Sequence, residues 1–308
     1  MAKSGAPSRL ETSRRKQPRR RWVWLAAGAA ALMLGGELYL SNFVPEITRV
    51  SIPLARLPAE FEGLRVAHLS DLHGKSFGRR NETVLRLLEA EKPDLICVTG
   101  DLIDGLSDAA LNARLTWADT QLARLTAIAP VYFVTGNHEW GADYQAAREG
   151  RERPLPRLRA LLDRHGAVWL DHRYVTLERG TASIVLAGLT DPNGPADQTD
   201  PGPLMARIRA REGDAFVLAL SHRFDRLDEY EALGLDLTLA GHAHGGVIRP
   251  PFTEGLFGPG RELFPRQTGG VYRQGDAVMA VSRGMGDTYL PRLWNRPEIG
   301  LYILVREG

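Results

Sequence analysis

The chain contains 308 residues, of which 44% are hydrophobic and 25% charged, and its formal net charge at pH 7 is +2. This length and composition are ordinary for a globular protein and allow one large domain or two modest ones. Residues 1–21 hold eight Lys or Arg and a single acid, so the rest of the chain carries a net charge of −5. This balance argues against nucleic-acid binding by the body of the protein, and the single cysteine, Cys97, excludes an intrachain disulfide.

An apolar segment follows the basic tail. Residues 22–36 carry no charge, Glu37 interrupts the run, and residues 38–45 are again uncharged. About 18 apolar residues are enough to span a bilayer, and no small-x-small cleavage site follows the run. We therefore predict a transmembrane signal anchor over residues 22–40 behind a basic cytoplasmic tail over residues 1–21, which leaves the rest of the chain on the extracytoplasmic side. A cleaved signal peptide and a buried helix of a soluble domain are the alternatives.

The remaining sequence predicts an α/β fold. Residues 41–60 are expected to form a connector and a first strand, and residues 61–308 the main domain. Apolar residues at helical spacing predict helices over residues 79–91 and 107–128 and three more that end near Gly166, Gly213 and Gly234. Strand candidates without intervening helices follow at residues 168–170, 174–178, 183–189, 277–282 and 300–305. This order favours βαβ units first and hairpin-like strands later, with long loops at residues 191–203 and 250–270.

Five apolar, β-branched runs each end on a residue that can hold a metal ion. Such runs predict buried strands. Side chains just beyond strand ends converge on the rim of a sheet, where open α/β folds bind their substrates. The residues that would meet there are Asp71, His73, Asp101, Asn137, His222, His242 and His244. Two Asp, one Asn and four His predict an oxygen and nitrogen cage suited to two divalent metal ions.

Each of these residues has a structural explanation when it is taken alone. An Asp at a strand end commonly caps the next helix, and a lone His is more often structural than metal-bound. We assign such a structural role to His68, His165 and His172, which have no partners in the pattern. The recurrence of ligand types after five successive strands favours a metal site for the other residues.

The motifs, taken in order, resemble those of the calcineurin-like metallophosphoesterases, over most of residues 61–308. They are Asp71-x-His73, Gly100-Asp101-x-x-Asp104, Gly136-Asn137-His138-Glu139, His222 and Gly241-His242-x-His244. Within that superfamily, residues 241–246 and 296–299 are similar to membrane-associated bacterial phosphodiesterases. The resemblance implies a sandwich of two packed mixed β-sheets flanked by helices, preceded here by the N-terminal membrane helix. Ala243 and Phe224 depart from the common Thr and Pro, which concerns substrate preference more than metal binding.

The resemblance also implies a role for each residue of the motifs. One metal ion would be held by Asp71, His73, Asp101 and His244. Asp101 would bridge to a second ion, whose other ligands would be Asn137, His222 and His242. His138 would be the catalytic histidine, oriented by Asp104.

The chemistry of such a site supports these roles independently. A shared carboxylate can hold two cations about 3.5–4 Å apart, where both can grip one phosphoryl group. Water held between them loses a proton near pH ~7, and the resulting metal-bridging hydroxide would attack phosphorus in line. A protonated His138 would then donate to the departing alkoxide. Imidazole and carboxylate ligands without thiolate favour Mn²⁺, Zn²⁺ or Fe²⁺.

The sequence thus predicts a membrane-tethered, dinuclear-metal phosphodiesterase of the bacterial cell membrane, single-pass and with an extracytoplasmic catalytic domain. Its substrate would be a lipid-linked or nucleotide-type phosphate. The aromatic residues of the 250–270 loop and Trp294 would either form an apolar approach to the site or pack within the loop or the core. A protein phosphatase is the alternative enzyme, although Gly105 stands where those enzymes carry Arg. A metal-stabilised, non-catalytic binding module is the alternative from another class. No nucleic-acid partner is expected, and the oligomeric state is left open.

Overall fold

The computed structural model describes residues 18–105 and 107–308. The chain divides into two compact units, Met1–Glu37 and Leu38–Gly308. The predicted basic tail lies outside the described residues except for its last four positions, 18–21. The second unit contains every predicted ligand.

The helix α1 (Pro18–Phe43) contains the predicted anchor. Its segment Arg21–Phe43 is long and apolar enough to cross a membrane, by length and composition. The large apolar side chains of this segment, such as Trp22, Trp24 and Leu32, are exposed. A helix that is apolar on all sides has no polar face for water, which is typical of a membrane span.

The first of two sheets contains six strands and is mixed. In spatial order these are β1 (Glu46–Leu54), β12 (Glu298–Arg306), β2 (Arg65–Leu69), β3 (Leu95–Thr99), β4 (Val131–Val134) and β5 (Val168–Trp169). All neighbouring strands are parallel except β12 and β2. The central strands read as continuous apolar runs because both of their faces are buried.

The second sheet also contains six strands. Its order is β10 (Gly270–Gln274), β11 (Ala277–Val281), β9 (Leu237–Ala240), β8 (Val217–Leu220), β7 (Ala182–Gly188) and β6 (Arg173–Arg179). The four inner strands are parallel, and β10 and β6 pair with them antiparallel. The predicted hairpin of β6 and β7 is present, whereas the strands predicted at residues 277–282 and 300–305 correspond to β11 and β12, which lie in different sheets.

One apolar core is shared by the two sheets. Val66 and Cys97 of the first sheet are buried in the same cluster as Leu218 and Leu239 of the second. The outer face of the first sheet packs on α2 (Glu82–Glu91), α3 (Asp108–Ile128) and α5 (Pro154–His165), and that of the second on α6 (Gly202–Glu212) and α7 (Leu227–Ala232). This architecture confirms the predicted fold class of two mixed sheets flanked by helices.

Two elements were not predicted. The helix α4 (Asn137–Arg148) begins where the sequence indicated only a strand end. Its buried face includes Glu139 and Asp143, so the apolar repeat of an amphipathic helix is weak. The strand β10 was missed because it is an edge strand whose side chains are mostly exposed or half-buried.

The carboxyl ends of the central strands from both sheets meet at one edge of the sandwich, which we call the metal edge. His222, just after β8, lies 2.7 Å through Nδ1 from the carbonyl oxygen of Thr99, the last residue of β3. The backbone N–H of His242, just after β9, donates to Asp71 Oδ2 over 3.0 Å. Segments that follow β2, β3, β4, β8 and β9 therefore share one small volume.

Candidate metal centre

The strand ends at the metal edge turn through an unusual backbone conformation. Five of the seven predicted ligands have positive φ angles: Asp71 (52°), His73 (49°), Asp101 (51°), His242 (66°) and His244 (47°). This left-handed region is uncommon for such residues, costs about 1–3 kcal/mol each, and persists where the surrounding structure enforces it. Such residues concentrate at functional sites, so the edge is a candidate site on backbone grounds alone.

Asp71, His73 and His244 form a first group whose ligand atoms all lie within 4.8 Å of one another. His244 Nε2 is 3.5 Å from Asp71 Oδ1. The His73 and His244 rings are stacked, with centroids 5.4 Å apart. The Asp71 side chain is completely buried, and its other partner is the His242 backbone N–H.

Asp101, His222 and His242 form a second group within the same 4.8 Å limit. His222 Nε2 lies 3.2 Å from Asp101 Oδ2, 3.1 Å from His242 Nδ1 and 3.0 Å from Asn137 Oδ1. Because the Thr99 carbonyl can only accept, His222 Nδ1 must be the donor there, which turns Nε2 toward the group. Asn137, the first residue of α4, is thus a neighbour of the second group.

Asp101 belongs to a third group, with His73 and His138. Its Oδ2 is 3.9 Å from His73 Nε2 and 3.9 Å from His138 Nε2. One carboxylate oxygen is therefore within 4 Å of a histidine of the first group and of a histidine of the second. Its Oδ1 accepts the backbone N–H of His138 over 2.9 Å, which fixes the orientation of the carboxylate.

The residues present fit a divalent metal centre. Asp101 Oδ2 and His73 Nδ1 are buried and have no hydrogen-bond partner, an expensive arrangement unless a cation completes it. The donors are imidazole nitrogens and carboxylate and amide oxygens, a set that divalent transition metals accept. The calcineurin-like family to which the motifs pointed uses divalent metals, and these His and Asp clusters supply ligands for them.

Burial controls the protonation of most of the histidines. It lowers the pKa of His242 to about 2 and also depresses the pKa values of His73 and His244, so these rings are neutral and can donate a lone pair. Burial also disfavours the His222 cation, but the adjacent Asp101 charge outweighs it and raises the pKa of His222 to about 10. The Asp101 charge therefore favours a positive charge at this position, which a metal ion would supply.

Other side chains, to which the sequence gave no role, contact the ligands or their backbone. Glu139, completely buried, accepts the backbone N–H groups of Asp101, Ile103 and Gly136. Arg223 lies 2.9 Å from His242 Nε2 and pairs with Asp191 over 2.7 Å. Asp191 follows β7 as the predicted ligands follow their strands, so the strand-end pattern was a signal for it.

Arg292 also contacts a predicted ligand, although the sequence gave it no role. It is fully buried, with Nη2 3.3 Å from His244 Nδ1 and Nη1 donating to the carbonyl of Arg283 over 2.8 Å. Nothing local in the sequence distinguishes it from the other arginines, since its role depends on a contact across 48 positions of the chain.

The two residues predicted to be catalytic are both at the site. His138 is 47% exposed through its side chain, with its ring 4.6 Å from that of His73. Asp104 accepts from Arg114 Nε over 2.9 Å and lies 3.8 Å from His73 Nδ1. No hydrogen bond joins Asp104 to His138 within residues 18–105 and 107–308, so the orienting role of Asp104 stays a prediction.

A cavity of about 370 Å³ opens above the ligands. Besides predicted site residues, its walls are Val247, Pro259, Asp287, Thr288 and Tyr289. The three histidines assigned structural roles are absent from the metal-ligand groups among the described residues. His68 Nε2 contacts Thr99 Oγ1 at 2.7 Å, and His165 Nε2 contacts Asp119 at 2.6 Å.

Comparison with known proteins agrees with this geometry. The chain is 28% identical to the uncharacterized metallophosphoesterase YkuE of Bacillus subtilis, over 91% of this chain and 93% of that protein. It is also 28% identical to the phosphodiesterase YaeI of Escherichia coli, over 78% and 82%. A transmembrane protein with a metallophosphoesterase domain from Danio rerio is 29% identical over 67% of this chain and 46% of its own length.

Among solved structures, the NAD nucleotidase of Haemophilus influenzae superposes with a TM-score of 0.46 at 14% identity, covering 72% of this chain and 45% of that one. The family model for calcineurin-like phosphoesterases matches residues 64–246, more than half of the chain, and spans all of the predicted motifs. The chain therefore belongs to the calcineurin-like phosphoesterase family and is a metal-dependent phosphoric ester hydrolase.

Proposed function

We propose that the protein is a phosphodiesterase that uses two divalent metal ions and is tethered to a membrane by its N-terminal helix. The observation that carries this proposal is the position of Asp101 Oδ2, which is buried, has no hydrogen-bond partner, and lies 3.2 Å from His222 Nε2 and 3.9 Å from His73 Nε2. A carboxylate oxygen placed in this way is what a site for two cations requires.

Each ion has its own set of ligands in this proposal. We assign Asp71, His73 and His244 to one ion, with Asp101 as the shared ligand. Asn137, His222 and His242 complete the other. The groups of ligand atoms within 4.8 Å of one another support this division, and their chemistry suits Mn²⁺, Zn²⁺ or Fe²⁺.

Metal ions bound there supply Lewis-acid chemistry, since they draw charge from phosphoryl oxygens and lower the pKa of water toward ~7. The protein's contribution to bond cleavage comes from His138. Its side chain is partly exposed and lines the cavity, so its Nε2 can reach an oxygen that leaves the phosphorus. A proton donated from Nε2 to this oxygen would accelerate cleavage by about 10²–10⁴-fold, the usual contribution of a general acid.

A phosphodiester is the substrate type that the comparisons favour. One relative that covers most of the chain is named a phosphodiesterase. Gly105 stands after Asp104, where the resemblance to protein phosphatases would require Arg. Two ligand carboxylates against two divalent ions also leave positive charge in the cavity, which favours an anionic phosphate group.

The membrane tether rests on α1. Its segment Arg21–Phe43 can span a bilayer by length and composition, and basic residues precede it in the sequence. Positive residues favour the cytoplasmic side of a first span, so we place the catalytic unit on the extracytoplasmic side. The relative in Danio rerio that is named a transmembrane protein supports a membrane location for this type of chain.

The test is a metal and substrate panel on the full-length protein in detergent. After chelation, Mn²⁺, Zn²⁺ or Fe²⁺ is added and hydrolysis of a bis-aryl phosphodiester, an aryl phosphomonoester and a lipid pyrophosphate is compared. We expect metal-dependent turnover that is fastest on the diester and lost in Asp101→Asn, whereas His172→Ala, a histidine outside the metal groups, retains it. Turnover that is unaffected by chelation, or that is highest on the monoester, would overturn the proposal.

A further inference from the structure

Six large apolar or aromatic side chains are exposed on the two segments that follow β9 and β11, which both contribute to the wall of the metal cavity. They are Phe252, Leu263, Phe264, Tyr289, Leu290 and Trp294, with relative exposures from 38% to 108%. We call this set the aromatic rim. Exposed apolar residues that occur singly need no explanation, but a cluster of them around a site indicates an interaction surface.

Three residues of the aromatic rim hold their side chains outward at a conformational cost. Phe252, Phe264 and Trp294 have φ angles of 66°, 54° and 52°, values that bulky residues rarely adopt. Such conformations persist where surrounding contacts enforce them. Here Arg249 Nη1 binds Thr268 Oγ1 and the Glu254 carbonyl at 2.6 Å and 3.0 Å, which fixes the loop that carries the two phenylalanines.

The topology places the aromatic rim at the metal edge. Residues 241–269 follow the carboxyl end of β9, and residues 282–297 follow that of β11, which is parallel to β9. Tyr289 lines the cavity, and its hydroxyl donates to the Gly258 carbonyl over 3.2 Å, so the two segments are in contact. Pro259 and Tyr289 form part of the cavity wall, and the other exposed side chains lie on the same two segments as these residues.

The last residues of α1 are attached at the same place. Asn42 donates to the Arg292 carbonyl over 2.9 Å and accepts the Arg292 backbone N–H over 3.0 Å. The backbone N–H of Asn295 donates to Ser41 Oγ over 3.2 Å. Residues 41–42, which belong to the second unit, are thus held next to the segment that carries Leu290 and Trp294, and Phe43, the last residue of α1, is exposed as well.

These observations identify the occupant of the surface. A partner protein could cover an apolar patch, but the chain that leads into the candidate membrane span is hydrogen-bonded to Arg292 and Asn295, which are close in sequence to Leu290 and Trp294. Tyr and Trp side chains are enriched at membrane interfaces because one end is apolar and the other can hydrogen-bond. The loop 250–270 carries no net charge, since exposed Arg261 and Arg266 are balanced by exposed Glu254 and Glu262, so its apolar side chains carry the case for a membrane contact.

We propose that the aromatic rim rests in the headgroup layer of the bilayer that holds α1, and that the metal site takes a phosphodiester within a lipid headgroup. This inference rests on the proposed function and adds the substrate class. The rim would bury its apolar side chains at the level of the acyl chains, while the cavity entrance faces the phosphate layer. A lipid could then be cleaved without leaving the membrane.

The first experiment measures depth and needs no activity. Full-length Phe252→Cys and Leu263→Cys variants are labelled with an environment-sensitive fluorophore and reconstituted into phosphatidylcholine and phosphatidylglycerol vesicles with brominated acyl chains. The native Cys97 is completely buried, so it does not compete for the label. The control is Ser183→Cys, an exposed position near the start of β7, at the end of the sandwich opposite the metal edge.

We expect brominated chains to quench the label at positions 252 and 263 at least about twofold and to leave position 183 unchanged. Equal quenching at all three positions, or none at 252 and 263, would overturn the proposed membrane contact. If only a soluble quencher acts on the labels at positions 252 and 263, the rim faces water or a protein partner. This outcome would also overturn the proposed membrane contact.

The second experiment tests the substrate class. A Phe252→Ser, Phe264→Ser double variant of the full-length protein is compared with the unmodified chain on a soluble bis-aryl phosphodiester and on phosphatidylglycerol in vesicles. We expect the soluble reaction to stay within about twofold and the vesicle reaction to fall at least about fivefold, because membrane contact scales with buried apolar area.

The outcomes separate the two proposals. An unmodified chain that cleaves the soluble diester but not the vesicle lipid would overturn the lipid substrate and leave the phosphodiesterase assignment intact. A chain that cleaves neither would overturn the phosphodiesterase assignment, while the fluorescence result would still decide the membrane contact. A double variant that loses both reactions equally would contradict the role of the rim.

Discussion

The carboxylate of Glu139 accepts the backbone N–H of Asp101 over 2.9 Å, so the first turn of α4 fixes the strand end that carries the proposed bridging ligand. The same side chain accepts the N–H groups of Ile103 and Gly136 at 3.0 Å and 2.8 Å. Three donors on one buried carboxylate hold the ends of β3 and β4 in register. Metal affinity should therefore depend on Glu139, although it is not itself a proposed ligand.

Replacing Glu139 by Gln should weaken metal binding by about 10–100-fold, the usual effect of losing a group that orients ligands. The Gln amide would place an NH₂ against one of three N–H donors and leave that donor unpaired. Isothermal titration of the metal-free protein with Mn²⁺ measures the change, and Glu149→Gln, at the exposed end of the same helix, is the control. Equal affinities in the two variants would contradict this role.

Removal of individual carboxylates should change the number of bound ions. Asp101→Asn should lose both ions because the proposed shared ligand disappears, whereas Asp71→Asn should lose one. The metal content after gel filtration is measured by inductively coupled plasma mass spectrometry and gives the number of ions per chain. If Asp101→Asn keeps as much metal as the unmodified protein, the proposed bridging position is wrong.

His138→Ala should retain both ions and lose turnover by about 10²–10⁴-fold on substrates with poor leaving groups. An aryl leaving group needs little protonation, so its cleavage should suffer much less. A series of diesters with alkyl and aryl leaving groups measures this dependence. The same loss across the whole series would show that His138 does not act as a proton donor.

Gly136 lies just before α4 and Gly141 lies within it, so the same substitution at Gly141 is a control for Gly136→Ala. A Cβ at Gly136 would lie 2.2 Å from Asp101 Oδ1 and 2.7 Å from the Asp101 backbone nitrogen, so Gly136→Ala should displace the carboxylate and abolish metal binding. Nothing lies within 4 Å of a Cβ at Gly141. Gly141→Ala should keep metal binding and raise the free energy of unfolding by about 0.5–1 kcal/mol, since Ala is the better helix former.

A metal-binding Gly136→Ala variant would mean that the edge can open to admit the methyl group. Calorimetry in detergent, with and without metal, distinguishes this outcome from simple unfolding, because a folded but metal-free variant keeps its transition and loses only the metal-induced increase in Tm.

Asp171 should make stability depend on pH. Burial raises the pKa of Asp171 from 3.8 to about 7, against opposing hydrogen bonds from Thr135. Between about pH 4 and pH 7 the folded protein keeps a proton that the unfolded chain has lost, so the free energy of unfolding falls as the pH rises through this range. Asp171→Asn removes the titrating group and should flatten this fall, by up to about 1.4 kcal/mol per unit of pKa shift.

Urea unfolding of the metal-free protein at pH 4.5 and pH 8 measures the Asp171 effect. Asp163→Asn, an exposed acid on α5, serves as the control and should leave the pH dependence unchanged. If Asp171→Asn shows the same pH dependence as the control, burial does not hold a proton on Asp171 in the folded protein.

The sequence by itself determined the fold class, the family and the positions of the candidate ligands. The ligands lie within a few residues of the end of a short apolar strand, so local composition marks both the strand and the side chain near its end, as for Asp71, Asp101 and His222. Parallel strands then bring their carboxyl ends to one edge, because βαβ connections leave little other choice. The apolar length of α1 was equally visible, since a membrane span is a property of one continuous segment.

The tertiary structure alone decided which side chains support those ligands. Glu139 contacts Asp101 across 38 positions, and Arg292 contacts His244 across 48. Such contacts arise from the packing of elements that are distant in the chain, and no periodicity encodes them. The aromatic rim is of the same kind, because its residues come from two loops and become neighbours only when β9 and β11 align in one sheet.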